Sequence, residues 1–263
     1  LDETRYTYVY NPYYGQFRTT GGTVSKAHGR SFAWNSQQII NYKNTFSGHG
    51  IDVMVGHEYY NSKYYELSAS KSQMFSQENL ELDGAVVDGQ GASSYTSEYN
   101  NEGVLARLQY NYMERIFVSG SYRRDASSKF HPSRRWGNFW SAGAAWIISK
   151  EPWFNAKGVD ELKIKASIGS QGNDNIGSYR YTDRYAISPS DGKVSVIFDS
   201  KGNKDITWET NTNINAGVEF GFLNGAITGG IEYFNRLTTD MLFPVPVAPS
   251  QGYTSIYQNV GKM

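Results

Sequence analysis

The stretch VLARLQYNYMERIFVSGSYRRDASSKFHPSRRWGNFWSAGAAWIISKEPWFNAKGVDELKIKASIGSQG, Val104 to Gly172, decides the fold of this 263-residue chain. Successive side chains of a β-strand point to opposite sides of a sheet. Val104, Ala106, Leu108 and Tyr110 therefore share one face, and Leu105, Arg107 and Gln109 share the other. After Asn111 to Glu114 the alternation resumes, with Ile116, Val118, Gly120 and Tyr122 opposite Phe117, Ser119, Ser121 and Arg123, which predicts a hairpin. A third stretch sets Leu162, Ile164, Ala166 and Ile168 against Lys163, Lys165, Ser167 and Gly169. One face is apolar and carries tyrosines at the turn end; the other holds two lysines that require water. Long alternating strands with aromatic caps, joined alternately by a tight turn and a long polar loop, are the pattern of an antiparallel transmembrane β-barrel.

Composition agrees and removes other classes. The chain is rich in Tyr (21), Phe (13) and Gly (27), and no run of about 18 apolar residues is present, so a transmembrane helix is excluded. Lys+Arg and Asp+Glu both number 25, which leaves no basic footprint for a nucleic-acid partner. Without cysteine there is no disulfide framework and no thiolate zinc site. The chain opens LDETRYTYVY with no initiating Met and no signal peptide, and reads as a piece of a longer protein.

Outside the opening stretch the same rhythm continues. Leu1 to Tyr10 alternates weakly and enters a Gly/Pro-containing tract to Arg30, expected to be a loop. SFAWNSQQIINYKNTF and IDVMVGHEYY flank the turn SGHG, whose glycines accept positive φ. INAGVEF and the strand after it flank Leu223, Asn224 and Gly225, and Asn-Gly is a strong hairpin signal. Connections fall into two alternating classes: short near 48, 112 and 224, long at 71–101, 126–138, 172–212 and 238–258. A barrel has short periplasmic turns and long extracellular loops. SKEPWFNAKGVDEL is a longer link on the short side, with room for a helical turn. Pro244, Pro246 and Pro249 argue against a central strand there.

Seven segments resemble one family in sequence, order and spacing from about Ser36 to Met263: IINYKNTF with its following turn and strand, YRRDASSKF, RRWGNFWSAGAAWIISKEPWF, ELKIKASIGSQGN, WETNTNINAGVEF, IEYFNRLTTDMLFPVPV and NVGKM. They are similar to the SusC/RagA family of TonB-dependent outer-membrane transporters. Trp140 stands where that family usually has proline. The resemblance implies import of glycans or peptides across the outer membrane of a Gram-negative bacterium. It also implies a SusD-like surface lipoprotein as partner and energy from the TonB complex through a plug region. The family's barrel has about 22 strands around a plugged lumen, so residues 1–263 are expected to be one internal portion of it, with the plug and remaining strands outside the sequence.

No catalytic constellation is present: there is no GxSxG, P-loop or strand-to-helix GxGxxG, so the chain reads as no enzyme and calls for no cofactor. His28, His49, His57 and His131 lack metal-ligand spacing, so no metal site is expected. Glu78, Glu81 and Asp83 lie in a polar tract whose ordinary role is solvation, and Asp174 with Asn173 and Asn175 offers oxygen ligands of the kind calcium takes, for which a solvated loop tip is the favoured reading. The better lead is the aromatics of the long loops. Trp136, Tyr179, Tyr181, Tyr185 and Trp208 can stack on a ligand while neighbouring polar groups bond to its edge; the competing role for each is an interfacial belt or loop packing. Arg107, Arg123, Lys163, Lys165 and Glu219 are expected to face the lumen. Two rival readings share part of this pattern: a passive porin-type barrel, and a soluble carbohydrate-binding β-sandwich that would bury its apolar faces in one core.

Overall fold

The computed structural model describes residues 2–190 and 192–263. Strands dominate: β1 (Asp2–Tyr10), β2 (Thr23–Phe46), β3 (His49–Met74), β4 (Ala85–Tyr112), β5 (Ile116–Ser127), β6 (Trp136–Ile147), β7 (Val159–Asn173), β8 (Arg184–Ser190), β9 (Lys193–Ser200), β10 (Glu209–Phe222), β11 (Ile227–Thr239), β12 (Leu242–Pro246) and β13 (Ser255–Asn259). Nine of them form one sheet in the order β1-β2-β3-β4-β5-β6-β7-β10-β11, so nearly every strand pairs with its sequence neighbour. β8 with β9 and β12 with β13 make separate two-stranded ribbons. No helix among the described residues is long and apolar enough to cross a membrane, which leaves strands unconstrained.

The short connections form as their residues allow. Ser47 and Gly48 both take positive φ (50° and 80°), the two-residue geometry that matches strand twist. Met113 and Glu114 (49° and 53°) turn β4 into β5, and Leu223, Asn224 and Gly225 (57°, 55° and 81°) turn β10 into β11. The link after β6 holds a single 3₁₀ turn, Ile148–Lys150.

The structure corrects four sequence expectations. Residues 71–101 are not one loop, since β3 runs to Met74 and β4 begins at Ala85. The tract to Arg30 is likewise not all loop, because β2 starts at Thr23 and its first residues pair with β1. The segment 172–212 contains the β8–β9 ribbon, and 238–258 contains β12 and most of β13. Between Val104 and Gly172 there are four strands, with β6 filling the space between the 126–138 loop and the link that begins at Ser149. The missed parts of β3 and β4 share a cause: KYYELSASKSQ and SSYTSEYNN carry polar or tyrosine side chains on both faces, so no hydrophobic alternation marks them. β2, β3 and β4 reach 24, 26 and 28 residues, more than twice the 9–11 that a tilted membrane strand needs.

Contacts divide the chain into two units, Leu1–Asn35 with Tyr60–Asn100, and Ser36–Tyr59 with Asn101–Met263. In the first, Val24, Met74 and Ala85 form a small buried cluster, with Val9 and Leu82 against it. In the second, Phe130, Phe139, Ile176, Ile206 and Trp208 are buried together, and Tyr181, Leu242 and Tyr257 pack on them.

Candidate functional site: a two-faced wall and its loop knot

Register in the second unit carries the side-chain alternation across six strands without a slip over the central rows. Tyr110 pairs with Val118, Val118 with Ala144, Ala144 with Ala166, Ala166 with Ala216 and Ala216 with Tyr233. The next row reads Tyr112, Ile116, Trp146, Ile164, Val218 and Ile231. These apolar side chains are exposed: Val118 45%, Ile164 43% and Ile231 73%. An outward face of this kind cannot be in water at such an area and belongs against lipid.

The opposite face is wet. Arg107, Ser121, Ser141, Gly169, Asn213 and Arg236 form one of its rows. All five residues expected on the polar side, Arg107, Arg123, Lys163, Lys165 and Glu219, lie on this face, and they are tied into ion pairs. Arg107 reaches Asp52 at 3.8 Å. Arg123 binds Asp125 at 2.7 Å and Glu58 at 2.9 Å. Glu219 accepts from Lys163 at 2.8 Å and Lys165 at 2.9 Å, and Lys165 also approaches Glu232 at 3.6 Å.

Glycines make these crossings possible. Gly103 lies between the strands of Glu58 and Arg123, and a Cβ there would stand 2.2 Å from Asp125 Oδ1 and 2.8 Å from Arg123 Nη2. Gly217 lies between Lys165 on β7 and Glu232 on β11, and a Cβ would stand 3.0 Å from Lys165 Cε. A charged side chain thus lies flat over a middle strand and pairs with the strand beyond. The ordinary sequence signal, a glycine in a polar half-strand, becomes meaningful only once the register is known. A groove of about 510 Å³ opens on this face, with Lys43, Asp52, Asn111, Ser119, Lys165 and Glu232 among its lining residues.

The five aromatic candidates do not converge. Trp208 is 9% exposed in the loop knot, and its indole N–H donates to the Arg135 carbonyl at 2.8 Å. Tyr181 packs on the same knot, 5.8 Å from the His131 ring. Tyr179, at φ 60°, lies 6.5 Å from Tyr181 and is 52% exposed. Tyr185 sits apart on the β8–β9 ribbon, edge-on to Phe198 at 5.7 Å. Trp136 is placed by alternation on the apolar face with Trp140, and the Arg124 guanidinium lies 5.1 Å over its ring.

The four histidines and Asp174 are engaged within the chain. His28 meets Glu3, His49 meets Tyr110, His57 meets Gln38 and Glu102, and His131 meets Ser133. Asp174 accepts from the Ser127 hydroxyl at 2.6 Å, and its backbone carbonyl from Lys129 at 3.1 Å. Among the described residues no group of three His, Cys, Asp or Glu side chains forms a metal cluster. In the first unit, Tyr64 and Tyr95 both donate to Glu66 Oε2, at 2.7 and 3.1 Å. That bond pushes the Tyr64 hydroxyl up to about 12. Desolvation, with the same carboxylate, raises Tyr95.

A meandering antiparallel sheet that is apolar on one face, charged and polar on the other, and joined by tight turns at one end and long loops at the other is the wall of a membrane β-barrel. The chain belongs to the TonB-dependent receptor-like β-barrel family, whose family model matches residues 2–263. Members are outer-membrane proteins of Gram-negative bacteria. The chain is 30% identical over 249 residues to the TonB-dependent receptor SusC of Bacteroides thetaiotaomicron, covering 85% of this chain and 23% of that protein. It is 25% identical over 268 residues to TonB-dependent receptor P3 of Formosa agariphila, covering 96% and 27%. Its fold superposes on a chain of the RagAB peptide transporter with a TM-score of 0.91 at 24% identity, over 99% of this chain and 29% of that one. The chain therefore spans about a quarter of the length of the curated relatives it matches.

Proposed function

We propose that residues 1–263 form one portion of the barrel domain of a SusC-like importer, with the plug and the other strands elsewhere in the protein, and that it carries glycans or peptides inward across the outer membrane in a TonB-driven step. The observation that supports this most is the register, free of slips over the central rows, by which six strands keep apolar side chains on one side and ion-paired ones on the other. In this reading the strands of the second unit cross the bilayer, and Arg107, Arg123, Lys163, Lys165 and Glu219 line a wet interior. A SusD-like surface lipoprotein is the partner above the loops. Tyr179, Tyr181 and Tyr185 are the loop aromatics left with exposed ring surface for a ligand, Trp136 serves the lipid interface, and Trp208 holds the loops together. The chain does no bond-making chemistry and carries no cofactor.

The test is uptake by cells expressing the full-length protein. Oligosaccharide or oligopeptide uptake is expected to stop when TonB is deleted or the proton gradient is collapsed. Uptake that persists unchanged under both treatments defines a passive pore and removes this reading.

A further inference from the structure

In the unit formed by Leu1–Asn35 and Tyr60–Asn100, β1 and the start of β2 pair from Asp2↔Ser31 to Tyr10↔Thr23. Thr4, Tyr6 and Tyr8 share one face, and their direct partners are Gly29, Ala27 and Ser25. The Tyr6 and Tyr8 rings lie 6.1 Å apart at 18°, and they are 52% and 57% exposed. Nothing on β2 rises beside them, because none of the three partners is larger than serine. A Cβ on Gly29 would stand 2.9 Å from the Tyr64 hydroxyl, so Tyr64 lies on this same face and reaches over the glycine toward β1. Behind it Glu66 accepts from Tyr64 and Tyr95 through Oε2 alone, which leaves Oε1 without a hydrogen bond from either tyrosine.

The cations of these strands are elsewhere. Arg5 and His28 occupy the opposite parity and both pair with Glu3, and Lys26 pairs with Glu81. The tyrosine face over the paired parts of β1 and β2 carries rings, hydroxyls, small side chains and, at its end, the Asp2 carboxylate, with no Lys, Arg or His.

We propose that this face is a binding site for a neutral oligosaccharide, whose pyranose rings stack their C–H faces on Tyr6 and Tyr8 while hydroxyl groups donate to Glu66. Charge decides among ligands. A neutral sugar supplies apolar ring faces and many hydroxyl donors, which suit flat aromatics and a carboxylate acceptor. An anionic glycan or a peptide carboxylate would meet Glu66 with no cation on this face to offset the repulsion. The proposal rests on the transport reading for its setting and narrows its substrate class.

The experiment uses the full-length receptor, purified in detergent, titrated calorimetrically with maltohexaose, xylohexaose, mannohexaose and cellohexaose and, separately, with a mixed octapeptide pool. One hexaose is expected to bind. The Tyr6→Ala, Tyr8→Ala double variant should weaken it by about tenfold, Glu66→Gln should weaken it several-fold, and Tyr6→Phe, Tyr8→Phe should keep wild-type affinity because the rings remain. An unshifted thermal transition shows that each variant is folded, and Glu66→Gln carries the test if the alanine variant is not. The proposal is overturned if no hexaose binds at roughly millimolar concentration, if binding is indifferent to these substitutions, or if only octapeptide binding responds. TonB-dependent uptake, measured on the same variants, separates the two readings: persistent uptake with an indifferent tyrosine face removes this site alone, and loss of TonB dependence in the wild type removes the transport reading.

Discussion

Ile206 and Ile214 stand in one short segment, ITWETNTNI, and have opposite fates: Ile206 is fully buried in the loop knot, and Ile214 is 43% exposed on the sheet, paired with Ile168. The knot is a core of the soluble kind, with Phe130 and Trp208 rings 5.4 Å apart and Phe139 and Trp208 5.3 Å apart. The wall has no core on its apolar side, because its partner there is lipid. The same residue type is thus stabilised by two different solvents within a few positions, and burial alone does not say which apolar residues matter.

Substitutions can break that contrast. The largest effect is expected from Trp208→Ala, which opens a cavity in the knot and leaves the Arg135 carbonyl with only the Ser127 N–H as donor, at about 3–5 kcal/mol. Hydrogen exchange of the full-length protein should show the outer loops opening while the wall strands keep their protection; loss of protection in the strands as well would mean the knot and wall are one cooperative unit. Ile214→Arg places a charge on the lipid face and should cost about 2–4 kcal/mol if it lies near the bilayer midplane. Refolding into lipid vesicles measures it, and a neutral outcome would put Ile214 on the wet side. Gly103→Ala, whose new Cβ would meet Asp125 and Arg123, should displace the link to Glu58 at about 1–3 kcal/mol, whereas Gly225→Ala, with nothing within 4 Å of a Cβ, should report only its positive φ of 81°. If both cost the same, the crossing side chains contribute nothing.

The smallest effect is a titration. Tyr64 has a folded value of about 12 against an ordinary value of 10.0. The folded state therefore holds this proton more tightly, so its contribution is complete below pH 10 and fades as the pH rises through about 12. Tyrosinate absorbance should place this group above the bulk of the exposed tyrosines, and Glu66→Gln should bring it back down.

Much of the wall was legible in the chain because lipid enforces a strict period of two. Val118, Ile164 and Val218 were separable from Ser119, Lys165 and Glu219 by counting, and Gly48 and Asn224–Gly225 announced their turns. The parts of β3 and β4 that belong to the first unit were not legible, since a strand with polar side chains on both faces has no periodic signature. The aromatic candidates were legible as residues but not as a site. Trp136, in SRRWGNFW, and Trp208, in KDITWETN, were both read as loop aromatics, yet one stands on the apolar face under Arg124 and the other is inside the knot.

The sequence by itself determined the antiparallel strand class, the order of short and long connections, and which side chains share a face, because alternation is a property of one strand. Only the tertiary structure decided which strands pair beyond their apolar rows, that Gly103 and Gly217 let charges cross to the strand beyond, and that Tyr6, Tyr8, Tyr64 and Glu66 share a face. Those facts depend on register between segments distant in sequence, and register comes from the packing of whole strands, not from any one of them.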